Sequence, residues 1–146
     1  MKTIATAQLT TDVPAQAFFD RWADMATWPE WNTDTEWVRL DGPFGTGATG
    51  RLKPRGGPVT RFVVTSLIPG REFTDVSLLL GARLTFQHLV TEEDGHTTVA
   101  VRVTIAGPLA FLWTAILGKG IATGIDGDLT RLEAAARAAH QAEVPA

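Results

Sequence analysis

The chain has 146 residues, 45% of them hydrophobic and 20% charged, with a formal net charge of −3 and no cysteine. That size and balance fit one globular domain, and they exclude disordered and fibrous classes, disulfides and thiolate chemistry. Acidic balance also argues against nucleic acid as the main partner: phosphate recognition needs clustered Lys and Arg, and here only Arg51, Lys53 and Arg55 lie close together in sequence.

In chain order, Thr3 to Thr11 alternates well enough for a strand, with Ile4 and Leu9 among small and polar residues. Met1-Lys2-Thr3-Ile4-Ala5-Thr6 lacks the apolar core of a signal peptide, so the expected location is the cytoplasm. Asp12-Val13-Pro14 reads as a helix start, because proline suits the first turn. That helix is predicted to run to about Met25, with Phe18, Trp22 and Met25 on one face, and Pro29 ends it or begins a short turn. Segments 35–41, 47–54, 59–68, 71–79, 82–91 and 97–106 read as strands, separated by Gly42-Pro43, Gly56-Gly57-Pro58, Pro69-Gly70, Gly81 and Asp94-Gly95. Short connections favour an antiparallel meander, and Asp-Gly between alternating segments is a strong hairpin signal.

Gly107-Pro108 closes the last strand, and a helix is predicted from about Leu109 to Ala142. Leu109, Leu112, Trp113 and Ile116 project on one face together with Gly120, Gly124 and Gly127, while Ile121, Ile125, Leu129 and Leu132 occupy another. The helix therefore either kinks near Gly118–Gly120 or packs on two sides, and the glycines either allow close packing or leave space for a ligand. No run of about 18 apolar residues exists, so no membrane span is expected. The architecture is thus α+β: a curved antiparallel sheet of about seven strands wrapped on a long C-terminal helix.

Four of the five tryptophans, Trp22, Trp28, Trp31 and Trp37, fall within sixteen positions, and Trp113 opens the last apolar stretch. Such a cluster around Trp28-Pro29-Glu30-Trp31-Asn32 either rims an apolar pocket or plugs one end of the fold. That run resembles landmarks of the SRPBCC superfamily. So do Leu40-Asp41-Gly42-Pro43-Phe44 leading to Gly47 and Gly50, and Leu84-Thr85-Phe86-Gln87-His88 followed by Asp94-Gly95. Gly107-Pro108-Leu109-Ala110 with Leu117-Gly118-Lys119-Gly120-Ile121 completes the resemblance, which spans the chain and is most similar to the bacterial polyketide cyclase/dehydrase-like branch, related to START and Bet v 1 proteins. It implies a helix-grip fold around a mostly apolar cavity. Members bind lipids, steroids, hormones or polyketides, some catalyse cyclisation or dehydration, and no universal catalytic motif carries over. Fold alone does not fix function.

Residue chemistry narrows the choices. Gly45-Thr46-Gly47-Ala48-Thr49-Gly50 matches G-x-G-x-x-G, but a strand-like Arg51-Leu52-Lys53-Pro54 follows instead of a helix, so a glycine-rich turn is expected and no dinucleotide cofactor. His88, His96 and His140 have no metal-ligand spacing, and Ser66 and Ser77 lie outside any nucleophile elbow. His88 shares strand parity with Leu84 and Phe86, and Asp75 shares it with Phe73 and Ser77, making His88 and Asp75 the candidate acid/base groups. Arg61 and Arg83 are expected on the outer face, with reach to an acidic head group as the alternative; parity leaves open whether Trp37 or Val38 faces inward and which face of 59–68 lines the cavity.

The expected ligand-binding set is Trp28, Trp31, Trp37, Phe62, Phe73, Phe86, His88, Leu112, Trp113, Ile116 and Gly120, converging on a closed apolar pocket with His88 as its principal polar group. The expected partner is a small hydrophobic, aromatic or polyketide-like molecule, with no metal. A cyclase or dehydrase-type enzyme, and a regulatory protein with a vestigial pocket, are the alternatives. Oligomeric state is not legible.

Overall fold

The computed structural model describes residues 1–143. Seven strands, β1 (Lys2–Thr11), β2 (Thr35–Leu40), β3 (Thr49–Pro54), β4 (Thr60–Ile68), β5 (Glu72–Leu79), β6 (Ala82–Glu93) and β7 (His96–Ala106), form one antiparallel sheet in the order β1-β7-β6-β5-β4-β3-β2. Consecutive strands from β2 to β7 are neighbours because their connections are too short for a crossover. The sheet curls into a half-barrel. Asp94 and Gly95, with φ of 53° and 77°, make the tight β6–β7 turn, the left-handed pair that an Asp-Gly hairpin requires.

Helix α1 (Ala15–Ala23) stops earlier than its apolar spacing predicts, and Met25–Glu30 forms a separate 3-10 helix containing Pro29. Asp24, at φ −90° and ψ 72°, breaks the α geometry between them. Proline fits this tighter segment because so few of its N–H groups have intrahelical partners. Phe18, Trp22 and Met25 nevertheless all reach the core.

Helix α2 (Ala110–Glu143) runs without interruption through all four glycines. Its buried face carries Ile125, Leu129, Leu132 and Ala136, and it packs mainly on β1 and α1, touching β6 and β7 lightly. That leaves the inner face of the β2–β5 arm largely uncovered by α2. No helix among the described residues is long and apolar enough to cross a membrane.

Candidate functional site

Alternation along β5 and β6 decides which residues meet under the helices. Side chains two apart share a face, so Phe73, Asp75 and Ser77 project from one side of β5, and Leu84, Phe86, His88 and Val90 from the same side of β6. Antiparallel register sets Phe73 opposite His88 and Asp75 opposite Phe86. All of Phe73, Asp75 and His88 are buried, and Phe86 is half-buried.

Aromatic rings close over this centre. Phe73 and His88 stack at 4.0 Å with an interplanar angle of 4°. Trp22 from α1 stands edge-on to both, 5.6 Å from Phe73 and 5.3 Å from His88. Trp28 from the 3-10 helix lies 6.2 Å from His88 and 5.5 Å from Trp31, and its indole N–H donates to the Trp22 carbonyl at 3.1 Å. Phe44, from the β2–β3 loop, meets Phe73 edge-on at 5.6 Å.

Two titratable groups sit in this apolar setting. The His88 Nδ1 is 3.3 Å from the Phe73 carbonyl and 3.7 Å from Asp75 Oδ1. A carbonyl can only accept, so the neutral ring carries its proton on Nδ1, which leaves Nε2 as the acceptor. Burial pushes the imidazole down to about 3, partly offset by the Phe73 and Phe86 backbone. Burial pushes the Asp75 carboxyl up to about 7, partly offset by a hydrogen bond to its own backbone. Desolvation disfavours the charged form of each. Near pH 7 the imidazole is thus neutral and the carboxyl is poised between its two states.

Asp75 Oδ1 is buried without a hydrogen-bond partner among the described residues, as are Trp22 Nε1 and Trp31 Nε1. Most buried polar atoms in folded proteins are satisfied, so three orphans around one aromatic centre call for an explanation, such as water or a ligand.

The structure brings Trp28, Trp31, Phe62, Phe73, Asp75, Phe86 and His88 to the concave side, with Phe62 buried opposite Ser77. It does not bring the others there. Trp37 lies on the outer face beneath the Arg39 guanidinium, 4.3 Å from its ring centre. A register irregularity between Thr35 and Trp37 turns Thr35 and Val38 inward instead. Leu112 is 44% exposed and Ile116 61%, and a Cβ on Gly120 would touch nothing within 4 Å. These three lie on the open side of α2, because the Ile121–Ile125–Leu129–Leu132 face is the one that packs. Trp113 is half-buried, its indole N–H donating to the Leu80 carbonyl at 2.8 Å and tying the start of α2 to the β5–β6 turn.

Two surface recesses, about 440 Å³ beside Leu78, Gly81, Arg83 and Pro108 and about 180 Å³ beside Ile68, Arg71, Glu72 and Thr91, are lined by neither Asp75 nor His88. Trp22 and Phe44 complete the aromatic cage but were not among the expected ligand contacts. Trp22's helical face with Phe18 was a usable signal; Phe44 stood out only as the end of the Leu40–Phe44 landmark.

By sequence, no protein-family model and no curated protein matches the chain. Solved structures do match in fold. The di-domain ARO/CYC StfQ from the steffimycin biosynthetic pathway superposes with a TM-score of 0.76 at 15% identity, over 98% of this chain and 53% of StfQ. The Zhui aromatase/cyclase from Streptomyces sp. R1128 gives 0.68 at 15% identity, over 91% of this chain and 92% of that one. Ara h 8.0201 gives 0.63 at 11% identity, over 91% and 96%. The chain shares the helix-grip fold of these structures.

Proposed function

We propose that the concave face binds a small apolar molecule, aromatic or polyketide-like, whose hydroxyl or carbonyl engages Asp75 and His88. One observation carries this reading: the Asp75 carboxyl is buried among aromatic rings with Oδ1 unpartnered. A buried acceptor left unmatched costs about 1–3 kcal/mol, a penalty that a ligand hydroxyl donating to Oδ1 removes. Entry is between the open side of α2, at Ile116 and Gly120, and the uncovered β2–β5 arm, with half-buried Phe86 and Trp113 giving way. Ligand contact then rewards each Å² of apolar surface withdrawn from water with about 25 cal/mol. The aromatase/cyclase names of StfQ and Zhui are compatible with such a ligand.

A second reading, proton transfer of the cyclase or dehydrase type, is favoured by the carboxyl raised to about 7 beside a neutral imidazole. A group titrating near the working pH is the better general acid or base. In that chemistry Asp75 gives a proton to a developing alkoxide or leaving hydroxyl, and the neutral His88 orients the substrate by accepting a hydrogen bond at Nε2.

Native mass spectrometry of the purified protein tests occupancy, and titration with an anilinonaphthalene dye followed by tryptophan emission tests the apolar site. A copurified small molecule or a saturable emission change is expected. Absence of both overturns the reading. Against a copurified ligand, Asp75→Asn is expected to weaken binding about tenfold, as for one lost hydrogen bond of about 1.4 kcal/mol. If instead binding persists while turnover of that molecule falls about 10²–10⁴-fold, the acid/base reading replaces simple binding.

A further inference from the structure

The basic residues that look scattered along the chain are collected by strand register. Arg39 pairs with Arg51, Arg51 with Arg61, Arg61 with Leu78, and Leu78 with Arg83. Directly opposed residues on neighbouring strands project from the same face. Arg39, Arg51, Arg61 and Arg83 therefore form one row across β2, β3, β4 and β6 on the convex side, interrupted at β5 by Leu78. All four arginines and Leu78 are exposed. Among the described residues, none of the four takes part in an ion pair, whereas Arg21, Lys53, Arg131 and Arg137 each find a carboxylate.

Like charges directly opposite one another destabilise a sheet. Here the opposition occurs twice in succession, in a chain whose net charge is −3. On one flank the next register line is Thr49, Val63, Val76 and Thr85, all uncharged, with Asp41 at its β2 end accepting from the Thr49 hydroxyl; on the other, Lys53 stands beside Arg51 and is paired with Glu36. At about 4.8 Å between strands, the row runs about 19 Å from β2 to β6. Beside its Leu78–Arg83 end lies the recess of about 440 Å³, with Ala106 and Pro108 among its walls.

We propose that this arginine row docks an acidic α-helix of a partner protein, its carboxylates on the guanidiniums and one apolar side chain against Leu78 and the adjoining recess. A helix about 10 Å wide and about 13 residues long matches a ridge of this width and length. The guanidinium fork receives a carboxylate bidentately, which specifies a docked orientation as well as attraction. An exposed leucine within the row gives that helix an apolar anchor that a bare polyanion does not use.

Fluorescence anisotropy tests this with a labelled helix-forming peptide of about 15 residues carrying glutamates and one leucine on a single face, alongside its glutamine-for-glutamate counterpart. Saturable binding of the glutamate peptide, weakened by added salt and absent for the glutamine peptide, is expected. Arg51→Gln with Arg61→Gln should reduce affinity at least tenfold, while Arg71→Gln, exposed and off the row, should leave it unchanged. Because the double variant removes opposed like charges, its melting temperature should hold or rise, so that lost binding is not lost folding. No saturable binding, or equal binding by the double variant, overturns the proposal. So does tighter row-dependent binding of a dT15 oligonucleotide, or of phosphatidylserine vesicles, since nucleic acid or membrane is then the occupant. Row-dependent self-association in sedimentation, outcompeting the peptide, makes the occupant a second copy of this chain and likewise overturns it.

Discussion

The two faces of strands β4 to β6 are built from alternate residues of the same segments and treat charge in opposite ways. On the concave face, Phe62, Phe73 and Phe86 accompany two titratable groups, Asp75 and His88, that burial drives toward neutrality. On the convex face, Arg61 and Arg83 stand in water beside Leu78, continuing the line from Arg39 and Arg51. Solvent screening lets four guanidiniums share one row, whereas an apolar surrounding does not tolerate even one charged imidazole. A register slip of one residue would exchange the faces, placing arginines under the helices. Burial of Phe73 and Val64 therefore fixes where the arginine row lies.

The largest effect expected separates packed from solvated positions. Phe73→Ala removes a fully buried ring that touches Trp22, Phe44 and His88, and should cost about 3–5 kcal/mol. Thr74→Ala, the next residue and on the convex face, should stay within about 0.5 kcal/mol. Urea denaturation of both variants reads the difference. Similar midpoints would mean that the concave centre is not the tightly packed side.

Next comes pH. Asp75, with its folded pKa raised to about 7, contributes stability that is fully present below about pH 4 and is lost as pH rises through about 7. His88, with its folded pKa lowered to about 3, contributes stability present above about pH 6.5 and lost as pH falls through about 3. Between about pH 4 and 6.5 the two slopes oppose and largely cancel. Asp75→Asn should expose the histidine slope, with stability rising from about pH 3 to 6.5. His88→Gln should expose the carboxyl slope, with stability falling from about pH 4 to 7. Either slope is at most about 1.4 kcal/mol per pH unit. Thermal melts across this range decide it: slopes of the same sign in both variants would mean that the pair is not held neutral by burial.

Much of this was legible in the sequence. Alternation and turn residues located all seven strands, and parity grouped His88 with Leu84 and Phe86 and Asp75 with Phe73 and Ser77 without fixing which way either group faces. What the sequence obscured depended on long-range register and on helix packing. Trp37 and Val38 compete for the inside, and the irregularity between Thr35 and Trp37, invisible as a pattern, resolves it for Val38. On α2 two apolar stripes were present, and the sequence ranked the one containing Trp113 and Ile116 as inner. Packing on β1 and α1 selected Ile125, Leu129 and Leu132 instead. Arg39, Arg51, Arg61 and Arg83 are separated by 12, 10 and 22 positions in the chain; only hairpin register makes them a row.

Glycines give the finest comparison between a filled and an open side. Gly50 lies inside the sheet opposite Phe62, and a Cβ there would meet the Phe62 ring at 2.5 Å and the Arg39 carbonyl oxygen at 2.6 Å. Gly50→Ala must therefore displace a buried ring and neighbouring backbone, an overpacking cost of about 1–3 kcal/mol. Gly120, in the interior of α2, offers open space to the same methyl group. There the substitution only removes glycine's conformational penalty in a helix, so Gly120→Ala should stabilise by up to about 1 kcal/mol. Opposite signs in paired urea titrations are expected. A destabilised Gly120→Ala would mean that something fills the space beside α2 in solution, and since Gly120 borders the proposed entry, a copurified ligand is the first candidate to assay.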